Sequence, residues 1–291
     1  MSVVAAKSEV RRKAAGVYWR RLKRRPTAMV GMAVFLVFAF LAVAGPAVAP
    51  YSYTSQVPSE RLNGPSIHHP FGTDQFGRDI MTRVIVGARS VFLLAGLGTL
   101  LAIILGTPLG LLSGYIGGLP DEIIMRLLDV FLSIPTLLVA LVLLGAVGPS
   151  QVNLVVVVSV LYTPMIARVT RSMTLELRNM EFVEAARVAG ERRIPILFRE
   201  ILPAAAAPLL VEGSMRFSYA IFLVASLGFL GLGVQPPSPD WGLQINEARN
   251  FYTQAPWMLL FPACAIGTLV VATSLMSDGI RQLIQPRRGG L

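Results

Sequence analysis

The sequence predicts an all-α membrane protein with six transmembrane helices and with both chain termini on the inner side of the membrane. The first observation is composition, because 14% of the 291 residues are charged and 54% are hydrophobic, with a mean hydropathy of +0.63. Soluble domains carry about 25% charged residues. The second observation is charge placement: 20 of the 26 basic residues fall in segments that this topology places inside, and five fall in outer segments. Inner segments of membrane proteins carry this excess of Lys and Arg.

Uncharged runs define the predicted spans, since about 20 apolar residues cross a bilayer. After a polar and basic segment at 1–28, the transmembrane domain extends over 29–286. Its spans lie at about 29–48, 91–112, 130–147, 153–169, 209–234 and 256–277. The remaining segments are outer loops at 50–89 and 235–249, an inner loop at 170–205 and a tail at 287–291.

Two apolar runs need interpretation. The uncharged run at 130–167 is too long for one span, and turn-forming residues divide it into a hairpin. These residues are Gly145, Gly148, Pro149, Ser150 and Asn153. A short inner return before this run is marked by Asp121, Glu122, Arg126 and Asp129. The first apolar run contains small residues typical of a cleavage site at 42–44 and 47–49, but it exceeds the length of a signal-peptide core and is predicted to remain a span.

The inner loop contains a charged island at 181–203, and counting from Arg168 to Pro203, 12 of 36 residues are Asp, Glu, Lys or Arg. Its pattern predicts a helix, a turn and a second helix. Residues Glu181–Ala189 favour the first helix, and Gly190 favours the left-handed conformation that ends it. Pro195 is suited to the first turn of the second helix, and Pro203 is predicted to end that helix. The apolar face of that second helix is formed by Ile194, Leu197, Ile201 and Leu202. A short amphipathic pair of this kind is suited to dock into a groove on a soluble partner.

Several kinds of catalytic and metal site are absent from the sequence. The three lysines, Lys7, Lys13 and Lys23, precede the first span, so the body of the chain has no P-loop lysine and ATP would have to bind to another chain. The two histidines, His68 and His69, are adjacent and are interpreted as part of a surface turn rather than as a metal site. The basic residues lack interleaved aromatic residues, which argues against nucleic-acid binding.

Two charges fall inside the fifth predicted span. Glu212 and Arg216 are four residues apart, which is the spacing of a helical ion pair. Two interpretations stay open: the pair lines a translocation path or a seam with a partner subunit, or its members neutralise each other close to the membrane interface. Small residues of the second span favour close helix packing; these are Gly96, Gly98, Gly106 and Gly110.

A resemblance to a known family begins in the charged island. Glu184-Ala185-Ala186, with Gly190 four positions later and Leu202-Pro203 at the far end, resembles the EAA loop of ABC importer permeases. The family pattern usually has an apolar residue three positions before the final Pro, where this chain has Glu200. The resemblance implies a coupling helix that sits in a cleft of a cytoplasmic ATPase. The residues implied in this coupling are Glu184, Ala185, Ala186, Arg187, Gly190, Arg193 and Pro203.

Three further stretches resemble the C-type permease subunits of peptide and nickel importers. They are HPFGTDQFGRD at 69–79, SLGFLGLGVQPPSPDWG at 226–242 and APWMLLFPACAI at 255–266. With the island, the matches run from about His69 to Pro286. The resemblance implies that the first stretch lies where an extracytoplasmic binding protein docks or delivers substrate. Its candidate residues are Gly72, Thr73, Asp74, Gly77, Arg78 and Asp79.

The resemblance implies a non-enzymatic permease subunit of a bacterial cytoplasmic membrane that imports oligopeptides or dipeptides by alternating access. The implied partners are a second homologous permease, two ATPase domains that bind ATP and Mg, and an extracytoplasmic peptide-binding protein, with no cofactor or metal on this chain. Nickel or another small solute is the alternative cargo. The alternative from another functional class is a stand-alone channel or secondary transporter. Such a protein would need broken helices or buried proton relays. A membrane enzyme would need a catalytic set that the sequence lacks.

Overall fold

In the part of the chain that the structure, a computed structural model, describes, residues 25–284, the regular secondary structure is helical apart from one β-bridge between Thr73 and Asp79, and loops and turns connect the helices. The helices are α1 (Pro26–Val48), α2 (Ile80–Ile116), α3 (Gly118–Ser133), α4 (Thr136–Val147), α5 (Gln151–Leu177), α6 (Glu181–Val188), α7 (Leu202–Phe229), α8 (Trp241–Ala248) and α9 (Trp257–Ile284). Residues 1–24 of the predicted basic segment lie outside the described residues. The whole predicted tail at 287–291 also lies outside them.

Among residues 25–284, five helices are long and apolar enough to cross a membrane: α1, α2, α5, α7 together with the helical turns before it, and α9. The helices α3 and α4 pass the same test as a pair bent by 89°, and they bring the number of candidate spans to six. An all-α chain is the expected form for such a sequence, because a helix satisfies its own backbone hydrogen bonds in lipid.

The helix α2 begins eleven residues before the predicted second span at 91–112, so the end of the predicted outer loop is helical. Its first turn is capped by Asp79, whose carboxylate accepts a hydrogen bond from the backbone N–H of Thr82 at 2.7 Å. Since an Asp cap satisfies an otherwise unpaired N–H, the helix starts there even though Arg83 and Arg89 follow. These two arginines therefore lie in α2 and not in the outer loop where the sequence placed them.

The predicted third span at 130–147 is interrupted at Pro135. Ile134 is extended, with φ −99° and ψ 135°, as expected for a residue before proline. The acidic and basic residues that were predicted to form a short return instead lie within α3. The turn between α4 and α5 does use the predicted breakers, since Gly148 has a φ of +82° and Ser150 caps α5 through the N–H of Asn153.

The last two spans also differ from their predicted bounds. The helix α7 starts before residue 209 and ends at Phe229, where Gly231 adopts a φ of +83° and its N–H bonds to the carbonyl of Gly228. The helix α9 continues to Ile284 instead of ending near residue 277. The predicted outer loop at 235–249 contains α8, which buries Trp241 completely and donates from its indole Nε1 to the Val84 carbonyl at 2.8 Å.

The helices α2 and α5 pack together more extensively than any other pair, and glycines of α2 make this possible. At Gly106, a Cβ atom would lie 2.7 Å from the carbonyl oxygen of Thr163 and 2.8 Å from the Cβ of Ile166. Comparable backbone or side-chain clashes with α5 would arise at Gly98, Gly110 and Gly114. Gly96 was predicted to belong to this set, but its nearest neighbour is the ring of Phe217 in α7 at 3.7 Å. Small residues let membrane helices approach this closely.

We predict that Gly106→Ala destabilises the protein by about 1–3 kcal/mol, because the methyl group overpacks a backbone contact that cannot retreat. Thermal unfolding of the purified protein in detergent measures the effect. Gly267→Ala is the matched control, since Gly267 is inside α9 with no neighbour within 4 Å. There the substitution leaves stability unchanged or raises it by up to about 1 kcal/mol, through helix propensity alone. Equal shifts for both variants would contradict the close-packed seam.

Candidate functional site

The first candidate site is the charged island, where α6 ends as its sequence predicts. Gly190 adopts a φ of +80° directly after the helix. Its N–H bonds to the carbonyl of Arg187 at 3.0 Å, and the N–H of Glu191 bonds to the carbonyl of Ala186 at 3.1 Å. This pair of bonds is the Schellman motif, which satisfies the last carbonyls of a helix and needs a residue that tolerates positive φ. The turn after α6 is therefore a defined structure.

The second half of the island differs from its prediction, because Pro203 does not end a helix. A helical turn at Arg193–Pro195 and a π-helical turn at Ile196–Ile201 continue directly into α7. The N–H of Leu202 bonds to the carbonyl of Leu197, five residues back. This wider turn accommodates Pro203 in the first turn of α7, where its missing N–H costs little.

The island is attached to the end of α2 by a small apolar cluster. Val183 of α6 and Leu111 of α2 are fully buried in it, together with Ile196, Leu197 and Ile201 of the π-helical turn. Ile194 was predicted to share this face, but it is 56% exposed and Ile196 takes its place. The π-helical turn changes the angular spacing of the residues, so a face assigned at 3.6 residues per turn is shifted.

The side of α6 that faces away from this cluster is exposed and partly apolar. Glu184, Ala185 and Gly190 are exposed, as are the large apolar side chains of Phe182 and Val188, at 40% and 83%. Five of the seven predicted coupling residues, Glu184 to Arg187 and Gly190, thus lie on α6 or in the turn that ends it, whereas Arg193 and Pro203 lie further along the chain. Apolar side chains that are exposed in a charged segment are typical of a surface that contacts a partner.

Arg187 connects α6 to the end of α2 by a polar contact. Its Nε donates to the Tyr115 hydroxyl at 3.3 Å, its guanidinium lies 5.1 Å from the centre of the Tyr115 ring, and Nη1 contacts Glu184 at 3.3 Å. The hydrogen bond with Tyr115 and the nearby Glu184 carboxylate raise the pKa of Arg187. A cavity of about 460 Å³ lies beside these groups and is also lined by Arg193.

The second candidate site is the loop layer, which we define as residues 49–79 and 230–256, at the opposite end of the bundle from the island. All six residues singled out in it are buried. Gly72 and Gly77 adopt φ values of +74° and +71°, and Asp74 accepts hydrogen bonds from the N–H groups of Phe76 and Arg78 at 2.8 and 3.0 Å. These contacts are the turn chemistry expected of such residues.

A buried cluster of four charges joins the two segments of the loop layer to each other and attaches them to α2. Arg78 and Arg83 both contact Asp74, at 2.5 and 2.6 Å, and both contact Glu247 of α8, at 2.8 and 2.9 Å. Two arginines and two carboxylates leave the cluster without net charge. A complete cluster of this kind is stable in the interior, whereas removing one member leaves an uncompensated charge.

The loop layer is also attached to α9. Thr73 is fully buried, and its carbonyl accepts a hydrogen bond from the indole Nε1 of Trp257 at 3.1 Å. The rings of Phe71 and Phe261 stack with their centres 4.0 Å apart. The stretch at 69–79 is therefore a packed part of the fold and not a free loop.

His69 corrects the prediction of two histidines in a surface turn, although His68 is exposed as expected. The His69 ring is 8% exposed and bonds through Nδ1 to Asp79 at 2.9 Å and through Nε2 to Glu60 at 3.0 Å. Burial lowers the pKa of His69, but the hydrogen bonds to Asp79 and Glu60 outweigh it, so the pKa lies above its usual value of 6.5. Both ring nitrogens are engaged, and no group of three metal-binding side chains occurs in residues 25–284.

Glu212 and Arg216 form the predicted ion pair on α7, with Arg216 Nε 2.5 Å from Glu212 Oε1. Their side chains are 12% and 18% exposed. Arg216 also contacts the Met165 sulfur of α5 at 3.0 Å and lies over the Tyr219 ring at 5.5 Å. The pair therefore lies at the contact between α5 and α7.

The sequence reasoning missed Arg83 and Glu247, whose pairing joins positions 164 residues apart. One signal was available for Arg83. It lies four residues after Asp79, at the start of a long uncharged run, where an arginine needs a partner. Nothing in the sequence indicated which acid that partner would be.

Comparisons with known proteins agree on one family. Residues 106–290 match the family described as "Binding-protein-dependent transport system inner membrane component", and residues 16–65 match "N-terminal TM domain of oligopeptide transport permease C". The chain is 38% identical to the dipeptide transport system permease protein DppC of Alkalihalophilus pseudofirmus, over 92% of this chain and 88% of that one. It is 39% identical to the glutathione transport system permease protein GsiD of Pectobacterium atrosepticum, over 93% and 90%.

A solved structure supports the fold independently. It is titled as an inward facing conformation of the MetNI methionine ABC transporter, and it aligns with a TM-score of 0.58 over 70% of this chain and 97% of that one. At 18% identity, this similarity concerns the fold alone.

We predict that Arg83→Met destabilises the protein by about 3–5 kcal/mol, because Asp74 and Glu247 then share one arginine in a buried position. The measurement is thermal unfolding in detergent. Arg126→Met is the control, since Arg126 is 78% exposed and pairs with Glu122 on the surface of α3 at 3.6 Å. Surface changes of this kind stay within about 0.5 kcal/mol. A loss at Arg83 as small as that of the control would contradict a stabilising cluster.

We predict that charged His69 stabilises the loop layer in acid. Because its folded pKa is raised, this stabilisation is complete below the unfolded pKa of about 6.5 and is lost as the pH rises through the folded pKa. As the pH rises above about 6.5, the unfolding temperature of wild type should fall more steeply than that of His69→Gln. His68→Gln, at an exposed position, should keep the wild-type slope. Parallel curves for wild type and His69→Gln would show that His69 contributes no such stabilisation.

Proposed function

Because the chain belongs to the family of inner-membrane components of binding-protein-dependent transport systems, we propose that it is the permease subunit of an ATP-driven ABC importer. It moves dipeptides or oligopeptides inward by alternating access. The names of its relatives support a peptide cargo, since they are called dipeptide, di/tripeptide and glutathione permeases. The bilayer is that of the bacterial cytoplasmic membrane, with both chain termini and the charged island inside.

The observation that best supports this function is the firm attachment of α6 to the end of α2. A coupling element must receive a push from an ATPase and pass it to the spanning helices. The buried contact of Val183 with the cluster around Leu111 gives α6 that attachment, and Phe182 and Val188 remain exposed for an ATPase groove. Glu184, Ala185, Ala186 and Gly190 then transmit force and take no part in chemistry. Arg187 and Arg193 border this contact, and Pro203 lies where the island joins α7.

The proposed assembly contains a second homologous permease, two ATPase domains and an extracytoplasmic peptide-binding protein. ATP and Mg bind to the ATPase domains, and this chain holds no cofactor. Closing of the ATPases on ATP pushes both coupling helices and opens the path outward. After ATP hydrolysis, the transporter returns to its inward-open state and releases the peptide inside the cell.

The loop layer is proposed to receive the binding protein. Its six singled-out residues, Gly72 to Asp79, are buried, so they hold a surface in place and do not form the surface themselves. The exposed apolar side chains of this layer include Ile67 at 96% and Phe76 at 46%. We assign the direct contact to such residues and assign the charge cluster beneath them a supporting role.

Glu212 and Arg216 are proposed to lie beside the translocation path. Their charges are mutually neutralised on α7 and only partly exposed, so the pair can face a wet path without a large desolvation cost.

The assembly is tested by tagging the chain, extracting it in mild detergent from its native host and identifying what co-purifies. A second six-span permease and a P-loop ATPase in stoichiometric amounts are expected, and peptide uptake by cells should depend on the chain. A stable oligomer of this chain alone would favour a stand-alone transporter. If the cells take up Ni²⁺ but not peptides, the cargo is Ni²⁺ and the proposed peptide cargo is wrong.

We predict that Gly190→Val abolishes peptide uptake while the chain stays inserted in the membrane, because a β-branched residue cannot hold the Schellman turn that ends α6. Gly148→Val is a matched control. Gly148 has nearly the same φ of +82° and also follows a helix, and neither glycine has a neighbour within 4 Å. The control suffers similar backbone strain but should retain most uptake.

The charge of the coupling helix is tested in the same assay. Glu184→Arg should abolish uptake, whereas Glu122→Arg, at another exposed acidic position, should not. Normal uptake by both Gly190→Val and Glu184→Arg would rule out a coupling role for α6.

A further inference from the structure

A cavity of about 240 Å³ lies between α5, α7 and α9, in the half of the bundle nearest the charged island. Pro208 lies near the start of α7, Met173 near the end of α5 and Arg281 near the end of α9. The full lining is Val169, Met173, Pro208, Val211, Glu212, Met215 and Arg281. The cavity is partly open, and all of its lining residues belong to this one chain.

The lining carries one negative and one positive side chain. Glu212 is mostly buried, and its Oε1 is held by Arg216. Among residues 25–284, no side chain or backbone group hydrogen-bonds to its other oxygen, Oε2. Arg216 itself is turned toward Met165 and Tyr219 and does not line the cavity. The pairing therefore orients the Glu212 carboxylate while leaving one oxygen available to a ligand.

Arg281 supplies the positive charge. It is exposed at the end of α9, and within the described part of the chain no carboxylate lies within ion-pair distance of it. A guanidinium in this position can bind a carboxylate through two parallel hydrogen bonds.

The remaining walls are apolar and adaptable. Val169, Val211 and Pro208 are rigid, whereas Met173 and Met215 have flexible, polarisable side chains that adjust to different shapes. Such walls accept variable side chains without specifying one. Selectivity would then come from the two charges.

We propose that this cavity binds a zwitterionic short peptide, with its ammonium group at Glu212 and its carboxylate at Arg281. A ligand with only a negative charge would meet Glu212, and one with only a positive charge would meet Arg281. An uncharged ligand would displace water from both groups without replacing the hydrogen bonds that the water made. A dipeptide spans roughly 7 Å when extended, which suits a cavity of this size. The inference deepens the proposed function, on which it rests for the class of ligand, by placing a cargo site near the inner end of the path.

The test uses the intact transporter complex, purified in detergent without its binding protein, and three probes. Calorimetric titration compares Ala-Ala with N-acetyl-Ala-Ala and with Ala-Ala amide. Wild type is expected to bind Ala-Ala saturably and about tenfold or more tightly than either blocked peptide, since each blocked peptide lacks one charge-assisted hydrogen bond.

Two substitutions test separately how the ammonium end and the carboxylate end of the ligand are recognised. Glu212→Gln keeps the side-chain shape and a hydrogen bond to Arg216, and it should remove the preference over the acetylated peptide only. Arg281→Gln, at an exposed position, should remove the preference over the amide only. Arg126→Gln, an exposed arginine of α3, should keep both preferences.

Three results would overturn the site: no saturable binding by wild type, no change in either variant, or equal loss of both preferences in each variant. The last result would mean that the substitutions act through structure and not through contact with a ligand. These failures are distinguishable from failure of the proposed function, which is measured separately as peptide uptake by cells. If cells take up peptide but the cavity does not bind it, the proposed importer function stands and only the proposed binding site is rejected.

Discussion

The close packing of α2 on α5 is the contact on which the rest of the structure depends. The helix α2 has 37 residues and is about 55 Å long, and glycines allow its backbone to lie against that of α5. Both candidate sites are attached to its ends. Asp79 and Arg83 at its start hold the loop layer, while Leu111 and Tyr115 near its end hold the charged island.

In the proposed coupling mechanism, this arrangement limits how far α6 can move on its own when an ATPase pushes on it. The cluster of Leu111 with Val183 has no exposed member, so α6 cannot move far without moving the end of α2. At the other end, the loop layer is joined to α2 by buried charges and to α9 by Trp257. Within α2, Pro108 removes one backbone hydrogen bond between the close contacts at Gly106 and Gly110. The backbone of α2 is therefore locally weaker at Pro108 than in the turns around it.

The sequence predicted the helical class and the number of candidate spans because long uncharged runs and basic flanks are local features. It also predicted the turn at Gly190, since the left-handed end of a helix depends on a few neighbouring residues. The predicted second span at 91–112 lies inside α2, and the helix begins eleven residues earlier because the cap at Asp79, and not uncharged length, determines where it starts. The predictions that Pro203 ends the second helix and that Ile194 lies on its apolar face were wrong for the same reason. A π-helical turn changes both the hydrogen bonding and the angular spacing, and the sequence pattern does not show it.

Charge placement shows most clearly what the sequence could and could not determine. The spacing of Glu212 and Arg216 was enough to predict their pairing, because both lie on one helix. The pairs of Arg83 with Glu247 and of His69 with Glu60 depend on tertiary folding, and chain distance carries no information about it. In the loop layer the four charges cancel, which suits a structural role. At the cavity near the island the pair of Glu212 and Arg216 cancels, but Arg281 adds a positive charge that no described carboxylate balances. Arg281 is exposed and therefore costs little stability on its own, but together with the open oxygen of Glu212 it presents two opposite charges to a ligand in one cavity.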